Sequence, residues 1–162
     1  LLREQFSPFS DWTVRILGSD VSRSALQRAK RAVYSDVEMA RGLSTDLKAK
    51  YFRRCGKDWE LNDTIRRMVE FRPLNLAAQW PTLPRCDIVL LRNVMVYFDI
   101  ATKRLVLRRV REQMWPDGYL FLGGAETTHQ LDDAYTRVVK EDFSFFQLRE
   151  QSLDRDTRSL LT

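Results

Sequence analysis

Short apolar runs alternate with segments whose apolar residues recur at helical spacing, and this alternation is the main signal of the chain. A run rich in strand-forming residues covers 13–18 (TVRILG), and a continuous apolar run covers 87–91 (DIVLL). An apolar run without polar alternation is typical of a strand buried on both faces of a sheet. Further strands are predicted at 119–123, after a tight turn at 116–118, and at 135–139 and 143–148.

Helices are predicted between these strands. Ser22 can cap a first helix whose apolar face extends to Val33. Shorter helices are expected at 36–41 and 45–52, and an amphipathic helix is expected at about 100–114. Strands that alternate with helices predict a parallel α/β sheet with right-handed crossovers, in which ligands bind at the carboxyl ends of the strands.

The composition is that of an ordinary globular protein. With 162 residues, 44% hydrophobic and 30% charged, the chain is long enough for one domain with its own core. No apolar run approaches the roughly 20 residues that cross a bilayer, and the charged start does not resemble a secretory signal. We therefore expect a cytoplasmic protein without membrane insertion. Cys55 and Cys86 are too few and too distant for a metal site or a disulfide framework, and are interpreted as reduced thiols.

The net charge of +5 allows three interpretations: an acidic protein partner, nucleic acid, or a solvated surface without a preferred partner. The solvated surface is favoured because the basic residues are spread along the chain instead of forming blocks. No RNA-binding or zinc-finger signature supports nucleic acid, and we expect none as a ligand.

Asp20 is the first candidate binding residue. It ends the first predicted strand, after the small residues Gly18 and Ser19. A carboxylate in that place can accept hydrogen bonds from both hydroxyls of a nucleoside ribose, in either a nicotinamide or an adenosyl cofactor. The alternative is that Asp20 only starts the turn into the Ser22 helix.

Arg92 and Asn93 follow the DIVLL run, where polar side chains face the binding crevice of a parallel sheet. Asn93 can bond a cofactor, with Tyr97 and Phe98 as a wall beside it. The alternative is a strand-to-helix turn capped by Asn93, with two aromatic residues in the core. His129 lies in a polar loop and is interpreted as a surface residue, so no metal site is predicted.

Taken in chain order, these segments are far more specific than any one of them. The series reads SDVSRSAL, AKRAVY, EMARGL, KYF, FRPLNL, DIVLLRNVMVYFD and WPDGYLFLGGAE. It resembles CheR-type chemotaxis receptor glutamate methyltransferases over about 14–148, and LRNVMVYFD is the strongest segment. The resemblance implies the Rossmann-like α/β sheet of class I methyltransferases, with S-adenosylmethionine as cofactor and S-adenosylhomocysteine as product. It also implies the cytoplasmic helical region of chemoreceptors as the partner.

The same resemblance assigns the residues of a site. The cofactor-binding residues that it implies are Asp20, Asn75, Leu76, Asn93 and Val94. Asp20 would hold the ribose, and Asn75 with Leu76, which alone indicate only a turn, would border the adenine. Arg92 would bind the substrate, and Tyr97 would lie near the transferred methyl group as the catalytic residue.

The resemblance also implies a domain organisation. A methyltransferase domain is expected at 1–150 and a polar tail at 151–162, with a small β-subdomain inserted at about 51–74. Within the insert, 59–71 favours short strands with turns at 56–58 and 62–63. In some members of the family this insert grips the C-terminal tail of a receptor.

Several features depart from the family pattern. The first strand of the family, its glycine-rich loop and a helical domain are expected to precede Leu1, and a sheet edge left uncovered by that strand allows a dimer. Ala32-Val33 stands where a glycine often precedes the tyrosine at position 34, and Leu91 replaces the usual cysteine before Arg92.

Two other functions stay open. The chain can be a non-catalytic binding or regulatory module of the same fold. It can also be a nicotinamide-dependent oxidoreductase, which Asp20 alone supports, since LRNVMVYFD has no role in that chemistry.

Overall fold

A computed structural model describes residues 13–141 and 143–149. It contains helices together with parallel and antiparallel strand pairs, and the α/β class predicted from the sequence is confirmed. The described residues divide into two compact units, one within Leu1–Asn75 and one within Leu76–Thr162. The predicted polar tail at 151–162 lies outside the described residues.

The first unit contains a parallel pair of strands, β1 (Ile16–Asp20) and β5 (Val69–Pro73). Helix α1 (Arg23–Arg31) follows β1 in the chain and packs against both strands. Its N-cap is Ser22, as the sequence predicts, and its C-cap is Ala32 in the left-handed conformation, with φ of 52°. The helix therefore ends before Val33, which the predicted apolar face had included.

A small antiparallel sheet lies in the same unit. Its strands are β2 (Val33–Tyr34), β3 (Phe52–Cys55) and β4 (Asp58–Leu61), in the order β2-β4-β3. The turn between β3 and β4 uses Gly56 at a positive φ of 60°, a conformation that glycine adopts without strain. The predicted insert at about 51–74 differs from this sheet, because β2 precedes that range and β5 pairs with β1.

Three short helices flank the small sheet: α2 (Asp36–Met39), α3 (Thr45–Tyr51) and α4 (Asp63–Arg66). Each begins after a polar side chain that accepts a backbone N–H three residues later: Ser35, Ser44 and Asn62. Helices α2 and α3 agree with the sequence prediction within a few residues. The turn predicted at 62–63 is instead the start of α4, because Asn62 accepts from Ile65 and closes a helical turn.

The second unit contains a four-stranded mixed sheet in the order β6-β7-β9-β8. Its strands are β6 (Cys86–Leu91), β7 (Met114–Leu122), β8 (Tyr135–Lys140) and β9 (Phe143–Leu148). Strands β6 and β7 are parallel, and the other pairs are antiparallel. The parallel pair is joined through α5 (Ile100–Gln113), as the sequence predicts.

The predicted turn at 116–118 is part of strand β7 in the structure. Cys86 pairs with Met114, and the next pair is Ile88 with Tyr119, so β7 advances five residues while β6 advances two. The additional residues form an irregularity within an extended strand. The residues at 116–118, which are of types common in turns, form this bulge within the strand. They do not form a turn between a helix and a strand.

The core of the second unit lies between its sheet and α5. The buried residues that form it are Leu91, Met95, Val106, Leu107, Val110, Met114, Leu120, Tyr135 and Phe146. The Tyr135 hydroxyl donates to the carbonyl of Leu107 at 3.0 Å, which satisfies the polar atom of this buried ring. Burial raises the pKa of Tyr135, so this hydroxyl keeps its proton.

Across 13–141 and 143–149, no helix combines the length and the apolar character needed to span a membrane.

Candidate functional site

Asp20 is exposed at the carboxyl end of β1. Its Oδ1 accepts from the backbone N–H of Ser22 at 2.7 Å, and Ser22 in turn caps α1 through Ala25. The turn that the sequence offered as an alternative is therefore present. Within the described part of the chain no residue bonds to Oδ2 of Asp20, so one carboxylate oxygen can still accept from a ligand.

The backbone of Asp20 lies beside the segment that leads to Asn75. The carbonyl of Asp20 accepts from Leu74 N–H at 3.0 Å, one residue before Asn75. Strands β1 and β5 are parallel and are paired up to their last residues. Asp20 and the segment that leads to Asn75 therefore lie at the same end of this two-stranded sheet, where its strands have their carboxyl ends.

Leu76 is fixed by two side chains of the second unit. Its carbonyl accepts from Trp80 Nε1 at 3.1 Å and from Arg109 Nη1 at 3.1 Å. Arg109 also donates to the carbonyl of Ala78, and its guanidinium lies 6.0 Å from the centre of the Trp80 ring. The arginine thus attaches the 76–80 loop to α5, beside an open cavity of about 370 Å³ lined in part by Trp80 and Arg109.

The loop after β6 carries four of the predicted site residues. Arg92 is exposed, and Asn93 adopts a left-handed backbone conformation with φ of 59°. Asparagine tolerates this conformation better than most residues, which otherwise lose roughly 1–2 kcal/mol there. A 3₁₀ turn, Met95–Tyr97, follows, and its N-terminal residue Val94 makes no side-chain cap. Asn93 is therefore not the helix cap that the sequence offered as an alternative.

Tyr97 and Phe98 do not form a common wall. Tyr97 is 83% exposed, whereas Phe98 packs against the core of the second unit. Asp99 caps the following helix by accepting from Thr102 N–H at 2.7 Å. Tyr97 therefore agrees with the interpretation as a residue beside a ligand. Phe98 agrees with the alternative, a residue of the core.

Glu126 organises this loop, although its role was not found from the sequence. Its Oε2 accepts from the backbone N–H of Asn93 and of Gly123, each at 2.7 Å. Its Oε1 accepts from Val94 at 2.9 Å and from Met95 at 2.7 Å. One carboxylate thus holds the loop after β6 against the loop after β7.

The charge of Glu126 is stabilised by these contacts. Desolvation at its partly buried position raises the pKa of the Glu126 carboxyl, but the backbone N–H groups of Gly123, Asn93, Met95 and Val94 outweigh it and leave the pKa below its usual value of 4.5. The Glu126 carboxyl is therefore an anion at neutral pH. Its negative charge compensates the dipoles of the four backbone N–H groups that point toward it.

Gly123 permits the close approach of the two loops. A Cβ at this position would lie 2.4 Å from Asn93 Oδ1 and 2.7 Å from Glu126 Oε2. A side chain there would force the Asn93 and Glu126 side chains to shift, so the Asn93 amide packs directly against the backbone of the glycine. Gly124, by contrast, has open space at the corresponding position.

The structure thus brings some predicted residues together within each unit. Asn93 and Val94 share one loop with Arg92 and Tyr97, and Asp20 lies beside the segment that reaches Asn75. Sequence reasoning missed Glu126, Arg109 and Trp80 as organisers of these loops. The glutamate was visible only as a residue shortly after Gly123-Gly124, and nothing local marks the other two.

Comparison with known proteins identifies the family. The sequence model of the CheR methyltransferase, SAM binding domain, matches residues 1–143, and the chain belongs to this family. The family predicted from the sequence is confirmed. The description of the family model also agrees with the predicted cofactor, S-adenosylmethionine.

Several curated proteins are similar to the chain. Chemotaxis protein methyltransferase 1 of Pseudomonas aeruginosa is 40% identical over 126 residues, which cover 77% of this chain and 46% of that protein. The chemotaxis protein methyltransferase of Vibrio anguillarum is 34% identical over 127 residues, covering 78% of this chain and 46% of that protein. That of Escherichia coli is 32% identical over 127 residues, covering 75% and 44%. The chain thus spans less than half the length of these relatives. Neither alternative function is favoured by these matches.

Proposed function

We propose that this chain is the cofactor-binding part of an enzyme that methylates glutamate side chains of chemoreceptors, with S-adenosylmethionine as methyl donor. The observation that carries the proposal is the loop after β6, which presents Asn93, Val94 and Tyr97 at the carboxyl end of a parallel strand in a chain of the CheR family. In this proposal the strands belong to a Rossmann-like sheet, and the small antiparallel sheet belongs to an inserted subdomain.

The cofactor would be held at several predicted positions. Asp20 would accept a ribose hydroxyl through Oδ2, which no described residue occupies. Asn75 and Leu76 would border the adenine, where Arg109 and Trp80 fix the Leu76 backbone. A further contact would come from the side-chain amide of Asn93, which carries both donors and an acceptor.

The chemistry asks for orientation more than for proton transfer. A glutamate with an ordinary pKa of about 4.3 is already ionised at neutral pH, so the acceptor needs no strong general base. When bound, S-adenosylmethionine supplies an electrophilic methyl group on a sulfonium. The protein must align a carboxylate oxygen in line with that methyl group at roughly 3 Å and exclude water, because opposite charges are lost in the reaction.

Arg92 and Tyr97 are the residues assigned to the acceptor side. The exposed Arg92 guanidinium would attract the anionic glutamate side chain. The Tyr97 ring, at 83% exposure, has the freedom to close over the reacting groups when a substrate binds. Its role is to orient the carboxylate and displace water.

The partner in this proposal is the cytoplasmic helical region of chemoreceptors, and the setting is the cytoplasm. The small sheet of β2, β3 and β4 would bind a receptor tail. Among the described strands, β6 is an edge strand of its sheet. Pairing of this edge with the same edge of a second copy would give a dimer.

Binding of S-adenosylhomocysteine tests the cofactor assignment. Calorimetry is carried out on this chain and on the natural full-length protein that contains it, with methyl transfer to chemoreceptor fragments measured in parallel. We expect Asp20→Asn to weaken binding about tenfold or more, as loss of a charge-assisted hydrogen bond of about 1.5–3 kcal/mol requires. Asp133→Asn, which changes another exposed aspartate, is the control. Equal affinity of Asp20→Asn and the wild type would refute the ribose assignment.

A further inference from the structure

The N–H groups of residues 93–95 all use one side chain as their acceptor. They follow Leu91, the last paired residue of β6, and precede the hydrogen-bonded turns of α5. In the described residues no backbone carbonyl accepts from them, and the Glu126 carboxylate takes that place for all three. The conformation of this loop is therefore set by a residue on the next strand connection.

The side chain of Asn93 is held from the same direction. Its Oδ1 lies against Gly123, as the 2.4 Å approach of an added Cβ shows, and Gly123 N–H donates to the same carboxylate at 2.7 Å. Both the backbone and the amide of Asn93 are thus packed on the segment 123–126. A displacement of Glu126 would move the Asn93 amide and the turn that carries Tyr97.

Only a carboxylate of this length meets the four donors. A glutamate carboxylate is acceptor-only, with two oxygens and about four lone-pair directions. Glutamine would keep one oxygen and turn an NH₂ group toward two of the N–H donors. Aspartate keeps both oxygens but is one methylene shorter, so it cannot reach all four N–H groups without moving a loop.

We propose that Glu126 is a positioning residue of the methyl-transfer site, which acts through the backbone of 93–95 to orient Asn93 toward the cofactor and Tyr97 toward the methyl acceptor. This inference rests on the proposed function. It adds a residue that touches neither cofactor nor acceptor and yet determines how both are held.

The experiment compares Glu126→Gln with Glu141→Gln in the natural full-length protein that contains this chain. Glu141 is an exposed carboxylate between β8 and β9, so the control makes the same chemical change away from the loops. Affinity for S-adenosylhomocysteine is measured by calorimetry, and kcat and KM are measured for methyl transfer, all well below the unfolding midpoint of each variant.

We expect Glu126→Gln to weaken S-adenosylhomocysteine binding about tenfold or more and to lower kcat at saturating S-adenosylmethionine. Glu126→Asp should give a smaller change of the same kind, and Glu141→Gln should match the wild type. A purely structural role would lower the unfolding midpoint but leave the affinity and kcat of the folded protein unchanged. Wild-type affinity and kcat in folded Glu126→Gln overturn the inference. A wild type that neither binds nor transfers contradicts the proposed function itself, and the two failures are thereby distinguished.

A second measurement does not depend on the folding of a variant. In the wild type, the backbone amide resonances of Gly123 and of 93–95 should shift together with a single midpoint below pH 4.5, because they share one carboxylate. Separate midpoints, or no shift, would show that Glu126 does not hold this loop and would overturn the inference.

Discussion

The Glu126 carboxylate accepts a 2.7 Å hydrogen bond from the backbone N–H of Asn93, 33 residues earlier in the chain. The two residues follow the parallel strands β7 and β6, which lie side by side. The left-handed backbone of Asn93 and the loop that it starts are thus held by a charge supplied from the neighbouring strand connection. The geometry of this loop depends on the ionisation of one side chain.

The stability of the second unit should fall in acid through Glu126. A carboxyl whose pKa is lower in the folded than in the unfolded state contributes stability that is present above pH 4.5 and is lost as the pH falls through the folded pKa, which lies below 4.5. Glu126→Gln should remove this part of the pH dependence and, at pH 7, lower the free energy of unfolding by about 2 kcal/mol or more. Denaturant unfolding of the wild type and of Glu126→Gln at several pH values, from about pH 3 to about pH 7, measures both effects. An unchanged slope in Glu126→Gln would assign the acid sensitivity to other carboxyls.

Gly123 and Gly124 should respond differently to the same substitution. In Gly123→Ala the new methyl group meets Asn93 Oδ1 and Glu126 Oε2 at less than 3 Å, so these two side chains must shift and their contacts between the loops are disturbed. We expect a loss of about 1–3 kcal/mol in the free energy of unfolding, together with weaker binding of S-adenosylhomocysteine. Gly124→Ala meets open space and serves as the control. Equal unfolding midpoints for the two variants would contradict the close packing of the loops.

Arg109 should be irreplaceable by lysine at the 76–80 loop. Its guanidinium donates to the carbonyls of Leu76 and Ala78 while lying over the Trp80 ring, and a single ammonium cannot reproduce this planar arrangement. Arg109→Lys should lower the free energy of unfolding by about 1–2 kcal/mol and raise amide hydrogen exchange in 76–80. Arg108→Lys, on the exposed face of the same helix, should change neither quantity. Similar exchange in both variants would show that the arginine does not attach the loop.

The local pattern of the sequence was sufficient for most strands and for the cap of the first helix. Ser22 and the DIVLL run are read correctly because capping and apolar runs are decided by neighbouring residues. The turn expected at 116–118 fails for the opposite reason. Whether these residues turn or bulge depends on their register with β6, which no local signal contains.

The candidate site was predictable in its residue types but not in its support. Asp20 and Asn93 were identified because polar residues at strand ends, and the resemblance to the CheR family, mark them. Glu126 and Arg109 bind backbone N–H and carbonyl groups, which every residue carries. Because a backbone N–H or carbonyl is the same at nearly every position, the residue type does not show which one a side chain will bind. Only the folded chain reveals these partners.

Tyr97→Phe tests whether the exposed ring contributes more than its surface. If the hydroxyl helps to orient the acceptor carboxylate, turnover in the natural full-length protein should fall about tenfold or more, since a hydrogen bond to a charged group contributes about 1.5–3 kcal/mol. The affinity for S-adenosylhomocysteine should stay nearly unchanged. Tyr119→Phe, a partly exposed tyrosine on strand β7, is the control. Methylation of receptor fragments at saturating cofactor gives the turnover. Unchanged turnover would limit Tyr97 to excluding water.

Ala32 should be a position where glycine costs the protein little or no stability. The residue ends α1 with φ of 52°, and its N–H donates to the carbonyls of Arg28 and Ala29. A left-handed alanine loses about 1–2 kcal/mol that glycine does not. Ala32 is only 2% exposed, so removing its methyl group offsets about 0.8 kcal/mol of the gain.

Glycine also adds freedom to the unfolded chain, which costs about 0.5–1 kcal/mol. Ala32→Gly should therefore leave the free energy of unfolding within about 1 kcal/mol of the wild type, and the melting temperature within about 2–4 °C for a chain of this size. The same change inside the helix, Ala29→Gly, should lower the free energy of unfolding by about 1 kcal/mol, because there glycine only adds freedom to the unfolded chain. Thermal unfolding followed by circular dichroism compares the two variants. If both substitutions destabilise equally, packing of the alanine methyl group outweighs the strain of the left-handed backbone at this cap.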